Sequence, residues 1–118
     1  MDMTALRLIS LPTHAVLELA LGVLVMAAPF VLGFGPAGLV VSALLGAIVV
    51  GLALSAAPEG GSLGIGAHFA FDRAVAFGLV AGAVALALAG DAAAALFLAG
   101  AAIAQTALNL TTRYTARA

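Results

Sequence analysis

The chain has 118 residues, of which 65% are hydrophobic and 8% charged, with four basic and five acidic side chains and a net charge of −1. Soluble domains carry about 25% charged residues, so a water-soluble monomer could not cover its surface, and the balanced charge excludes a nucleic-acid footprint. The absence of cysteine excludes disulfides, thiolate metal ligands and thiol redox chemistry; the solvent this composition fits is lipid.

Met1 to Ser10 reads as a short mixed leader. Only Arg7 is basic ahead of the first apolar run, and no small-x-small site ends that run, so a retained helix is expected rather than a signal peptide. Ser10-Leu11-Pro12-Thr13 looks like a helix start, with Ser10 or Thr13 as cap and Pro12 in the first turn. No charge occurs between Leu19 and Pro58, a stretch too long for one span of about 20 residues and long enough for two. Gly33-Phe34-Gly35-Pro36-Ala37-Gly38 breaks it, placing helix 1 at about Thr13 to Leu32 and helix 2 at about Ala37 to Ala57. Pro58 to Gly66 is the one real loop. Helix 3 follows from about Ala67 to Ala89, Gly90-Asp91 makes a tight turn with Asp91 as cap, and helix 4 runs to about Leu110 before a polar tail.

The expected fold class is therefore an all-α membrane protein: four transmembrane helices arranged as two parallel-repeated helical hairpins. One transmembrane domain covers 1–118, with hairpin 1 at about 13–57, a loop at 58–66, hairpin 2 at about 67–110 and a tail at 111–118. Arg7, Arg73, Arg113 and Arg117 fall on one side, and the other side carries Asp91. The positive-inside rule puts both termini in the cytoplasm. Arg113, Tyr114 and Arg117 would anchor the tail at an anionic lipid surface.

Helices in lipid associate through small residues. Ala43, Ala47 and Gly51 share a face of helix 2, Gly78 and Gly82 form a GxxxG on helix 3, and Ala95 and Ala99 repeat the spacing on helix 4. These faces serve either packing within one bundle or a homo-oligomer, and the alanine-rich second hairpin favours at least one contact between subunits or with a partner membrane complex.

The two hairpins look like copies at an offset of 54: His14 falls on His68, Glu18 on Asp72, Leu32 on Leu86, Gly46 on Gly100, and Pro36-Ala37 on Gly90-Asp91. The two histidines are the only ones in the chain, and each precedes a carboxylate by four positions, on one helix face. Together with Arg73 they make a polar cluster near the cytoplasmic boundary. Three uses compete. The first is an interfacial network in which Glu18 snorkels or pairs with Arg73 or His14. The second is a metal site, since two imidazoles and two carboxylates suffice for zinc or iron, although the spacing is not the Glu-x-x-His of di-iron bundles. The third is a proton or ion relay through Glu18, continued by Ser42, Gln105 and Thr106. No nucleophile elbow, phosphate loop or zinc-protease motif is present, so no enzyme and no cofactor are expected. The leading expectation is a structural or accessory membrane protein; a small carrier or a metal-binding helper is the alternative.

Ala28-Pro29-Phe30-Val31-Leu32-Gly33-Phe34 resembles the Ser-Pro-Trp signature of the SPW-repeat family of small bacterial membrane proteins, in which the signature closes the first helix of a hairpin. Ala28 stands for the serine and Phe30 for the tryptophan, and the second hairpin has Gly82-Ala83-Val84 in the equivalent place. The resemblance implies a four-helix bacterial membrane protein and no defined activity. Physically, Pro29 removes a helix hydrogen bond and kinks the far end of helix 1, while Phe30 and Phe34 are expected at the interface, next to Gly33.

Overall fold

The computed structural model describes residues 7–56 and 63–115. Arg117, the leader before Arg7 and most of the predicted 58–66 loop lie outside the described residues. Within them the chain forms four helices: α1 (Leu11–Leu32), α2 (Pro36–Ser55), α3 (Ile65–Leu88) and α4 (Ala92–Thr111). All four are long and apolar enough to cross a membrane, at about 1.5 Å of rise per residue against a hydrocarbon core of about 30 Å. The result is an all-α four-helix protein of the membrane-spanning type.

Each boundary has a local cause. Ser10 caps α1 by accepting from the Thr13 amide at 3.3 Å, and Pro12 sits in the first turn, where its missing N–H costs nothing. The helix runs through Pro29 and ends at Gly33, whose φ of 69° lies in the left-handed region; the Phe34 amide then closes the turn onto the Pro29 carbonyl at 3.1 Å. The second hairpin turns the same way: Gly90 has φ 86°, and the Asp91 amide reaches the Leu86 carbonyl at 2.9 Å. The left-handed glycines lie 57 residues apart, not 54. Pro36 is thus not the counterpart of Gly90; it is the first residue of α2. The helix starts keep the 54 spacing, with Ser10 matched by Gly64; the turns shift by three because α3 has 24 residues against 22 in α1 and Ala89 stands between its end and Gly90.

Asp91 does more than cap α4. Its Oδ1 accepts from Ala94 N at 3.2 Å, and its Oδ2 accepts from Gly35 N at 2.9 Å, at the open end of α2. One carboxylate thus serves two helix N-termini and buckles the two turns together. Gly38 makes the room: a Cβ there would stand 2.6 Å from Asp91 Oδ2.

The helices follow one another around a ring, α1 against α2, α2 against α3, α3 against α4 and α4 against α1. Val25, Val49, Leu79 and Leu98 fill its centre, fully buried. Val31, Phe77, Leu88, Leu96 and Ile103 point outwards, as lipid-facing side chains should. Phe30 belongs with this outer set, at 72% exposed. Phe34 differs from the interfacial expectation, since it is buried against Phe97 with ring centroids 6.1 Å apart.

The closest helix pair, α1 and α2, meets at Gly22 and Gly46. A Cβ on Gly22 would lie 2.8 Å from the Val50 backbone nitrogen, and one on Gly46 would lie 2.6 Å from the Met26 nitrogen. Ser42 ties the same crossing by donating to the Val25 carbonyl at 2.6 Å. The contact face of α2 is thus Gly38, Ser42 and Gly46, one residue round from Ala43, Ala47 and Gly51. Ala43 is half-buried, while Ala47 and Gly51 are exposed, with open space around Gly51. Gly82 is used inside the chain, against Leu45, Leu98 and Val41; Gly78 touches Leu45; Ala95 is buried in the core and Ala99 packs against it.

Candidate metal centre

His14 is the fourth residue of α1 and His68 the fourth of α3; Glu18 and Asp72 follow one turn deeper on the same faces. α1 and α3 lie on a diagonal of the ring, and their side chains close the gap. All four are at most 1% exposed. The expectation that Glu18 snorkels therefore fails: the carboxylate sits inside the bundle.

The four groups converge. His14 Nε2 lies 3.3 Å from Glu18 Oε2 and 3.0 Å from Asp72 Oδ2. His68 Nε2 lies 3.4 Å from Glu18 Oε1 and 3.3 Å from Asp72 Oδ2. One ligand atom from each residue fits within 4.8 Å of all the others. The rings meet edge to face, with centroids 5.7 Å apart and planes at 75°.

Hydrogen bonding around the rim fixes which nitrogens face inwards. The Thr112 hydroxyl spends its hydrogen on the Leu108 carbonyl at 2.6 Å, so its oxygen accepts from His14 Nδ1–H at 2.7 Å. Ser55 does the same: it donates to the Leu52 carbonyl at 2.6 Å and faces His68 Nδ1 at 3.5 Å. Both rings thus carry their outer proton on Nδ1 and aim Nε2 at the carboxylates, the second-shell pattern that orients metal-binding imidazoles. The carboxylates have outer partners too. Gln105 Nε2 donates to Glu18 Oε2 at 2.8 Å, and the Tyr114 hydroxyl donates to Asp72 Oδ2 at 2.7 Å. Asn109 links the two, accepting from Gln105 at 2.8 Å and donating to the Asp72 carbonyl at 3.0 Å.

Inside this shell the accounting does not close. His14 Nε2, His68 Nε2, Glu18 Oε1 and Asp72 Oδ1 are buried without a well-directed hydrogen bond. Two neutral imidazoles and two carboxylates sum to −2, and an unbalanced charge of that size is too costly to bury. A divalent cation between the groups, or a second proton on each ring, restores neutrality. The nitrogen–oxygen separations of 3.0–3.4 Å, which use both oxygens of Glu18, lie near the edge of a tetrahedron with zinc–ligand bonds of 2.0–2.1 Å, about 3.3 Å, within a set whose donors spread to at most 4.8 Å.

Arg73, grouped with these residues by position, does not join them. Its guanidinium stacks on Phe69, 3.5 Å from the ring centroid, and the ion pairs among the described residues are the four between the histidines and the carboxylates. The successor of Asp72 points about 100° away around the helix. Thr106 is exposed and outside the cluster, and Ser42 serves the α1–α2 crossing.

The short segments just before α1 and just after α4 cover the site. Ile9 and Thr112 form a parallel bridge, with Ile9 N donating to the Thr111 carbonyl at 2.9 Å and Arg113 N to the Ile9 carbonyl at 2.7 Å. Arg113 also donates to the carbonyls of Arg7 and Leu8. This strap carries Thr112 and Tyr114 onto the cluster, so Tyr114 works as a ligand to Asp72. Gln105, Asn109 and Thr112 share a face of α4 at spacings of four and three, a polar stripe on an otherwise apolar helix that marks the site from sequence. Ser55 and Tyr114 carry no such signal, because their positions depend on how the chain folds back.

Burial, and then the bond to Asp72, push the Tyr114 phenol above its ordinary value. A folded-state value above the unfolded one of about 10 means that the strap's contribution persists below that pH and is lost only as pH rises through the higher value. Tyr114 is the single tyrosine and there is no tryptophan, so the phenolate ultraviolet band reports on it alone. In detergent that band is expected to stay absent through pH 10 and to emerge on unfolding; normal titration in the folded protein would contradict the Tyr114–Asp72 contact.

Comparison with family models, with curated proteins and with solved structures found no match.

Proposed function

We propose that this chain is a small accessory protein of the bacterial inner membrane that holds one divalent transition-metal ion between His14, Glu18, His68 and Asp72. The observation that supports this most is the convergence of two Nε2 atoms and two carboxylates, with both Nε2 atoms and one oxygen of each carboxylate buried without a directed partner. Zinc fits the donor set and the edge lengths; iron(II) shares the preference for imidazole and carboxylate. Four protein ligands leave no open coordination position, which suits a structural or storage role rather than catalysis. An ion there would clamp the α1–α3 diagonal and the strap. With Arg7, Arg73 and Arg113 at the cluster's end of the bundle, that end is the cytoplasmic one. On the Ala28–Phe34 segment we also propose a distant relationship to the SPW-repeat family.

Metal analysis of the purified protein tests the reading. About one zinc or iron per chain is expected, lost on exchange of His14→Ala together with His68→Ala. Wild-type protein that stays metal-free after incubation with zinc, iron(II) and manganese(II) and desalting would sink it.

A second reading rests on the outward Ala47–Gly51 face, where Gly51 leaves open space for another helix. A detergent-corrected mass above that of one chain, returned to one chain by Gly51→Leu, is expected by light scattering; a monomer with no co-purifying protein excludes self-association and a stable partner.

A further inference from the structure

Arg73 poses a separate question. Its Nη1 is buried and bonded to nothing, although a guanidinium carries five donors and an unmet buried donor is costly. Phe69 fixes the plane of the group from one side, and Tyr114 stands 5.8 Å away. A planar, pre-oriented guanidinium of this kind is suited to a bidentate anion such as phosphate.

A groove leads away from it along the outer seam of α3 and α4. Its first part, about 400 Å³, has Arg73 at one end and is otherwise nearly all apolar. A second hollow of about 570 Å³ continues it, sharing Val80, Thr106 and Leu110 and reaching Val84 and Ala99. The groove exists because the seam is built from small side chains, among them Ala76, Ala83 and Ala102. From Arg73 to Val84 is eleven residues, or about 16 Å of helix at 1.5 Å per residue. Arg73 is the ninth residue of the 24-residue α3 and Val84 the twentieth, so the cation stands at the end of the groove nearer the helix start and the apolar part runs past the middle of the span.

We propose that this groove is a binding site for one anionic phospholipid, with the phosphate on Arg73 and an acyl chain along the α3–α4 seam. The site is distinct from the metal centre, since Arg73 makes no ion pair with the cluster, although Asn109 lines the groove and also bonds the Asp72 carbonyl. The positive charge at one end and the apolar lining along the rest select this occupant over a polar solute or a zwitterionic lipid.

Native mass spectrometry on the whole protein, released from mixed micelles of phosphatidylglycerol and phosphatidylcholine with identical acyl chains, tests it. One retained phosphatidylglycerol per chain is expected, favoured by about fivefold, because the choline cation beside the phosphate of phosphatidylcholine opposes the guanidinium. R73Q should retain the two lipids equally, and A76F, which fills the groove, should retain neither. Inorganic phosphate should not displace the lipid, because it lacks the chain. Equal retention of both lipids by the wild type, or unchanged preference in R73Q, would overturn the proposal, as would full retention by A76F. Helix content by circular dichroism establishes that each variant is folded, and unchanged metal content separates this site from the cluster.

Discussion

Gly46→Leu is expected to destabilise the bundle by about 3 kcal/mol or more, the upper range for overpacking a closed contact. A Cβ at position 46 would meet Met26 Cγ at 2.5 Å, the Met26 nitrogen at 2.6 Å and the Gly22 carbonyl oxygen at 2.9 Å. Methionine can swing aside, but the two backbone atoms belong to α1 and cannot yield unless the helix moves. Moving α1 breaks the Ser42–Val25 hydrogen bond and carries His14 and Glu18 away from α3. Gly100→Leu is the control, since that position is exposed and looks onto open space; its effect on unfolding should stay within about 0.5 kcal/mol. Thermal or denaturant unfolding in one detergent, read by circular dichroism, compares the two. Equal losses would mean that the Gly22–Gly46 crossing is not what joins the first hairpin.

Removing one member of the cluster is expected to cost more than removing all of it. His68→Ala leaves Glu18 and Asp72 buried with half of their compensation, and breaking a buried ion set by deleting one partner typically costs about 3–5 kcal/mol. Exchanging all four residues for leucine removes every charge at once, and such apolar replacements are often neutral or stabilising. The unfolding free energy should therefore fall in the single variant and recover in the quadruple one. A chelator should lower the stability of the wild type by the linkage due to its ion and leave the quadruple variant untouched. If single and quadruple variants lose the same amount, the four groups do not act as a unit. If chelation changes nothing in a wild type that carries metal, the ion is not what holds the α1–α3 diagonal.

The architecture was open to reading because lipid leaves few choices. An uncharged run too long for one span, broken by Gly33 to Gly38, had to be two antiparallel helices, and the helix limits fall within two residues of the structure's. The pairing of His14 and Glu18 with His68 and Asp72 was visible because histidine is rare here and the spacing is helical. Faces were harder. α2 is apolar all round, so Ala43–Ala47–Gly51 and Gly38–Ser42–Gly46 are equally good stripes from sequence, and only the crossing with α1 separates them. The register of the repeat shifts for a similar reason: the helix starts align at 54, but two more residues in α3 and Ala89 after it move the second turn to 57. Arg73 was drawn into the cluster by adjacency, although one step along a helix turns a side chain out of the group. The outer partners Ser55 and Tyr114 depend on how the chain folds back onto the cluster, which no local pattern encodes.

The strap also sets the order of assembly. The first hairpin enters the bilayer carrying His14 and Glu18, while their partners on α3, on α4 and beyond Thr111 have yet to be made. For that interval two polar side chains face lipid or one another, with neither the opposing imidazole nor Gln105 to meet them. The site can close only when the last helix is inserted and the Ile9–Thr112 bridge forms. A chain interrupted before α4 keeps an open polar wound on an otherwise oily surface, which gives membrane quality control a ready means of telling a finished molecule from an unfinished one.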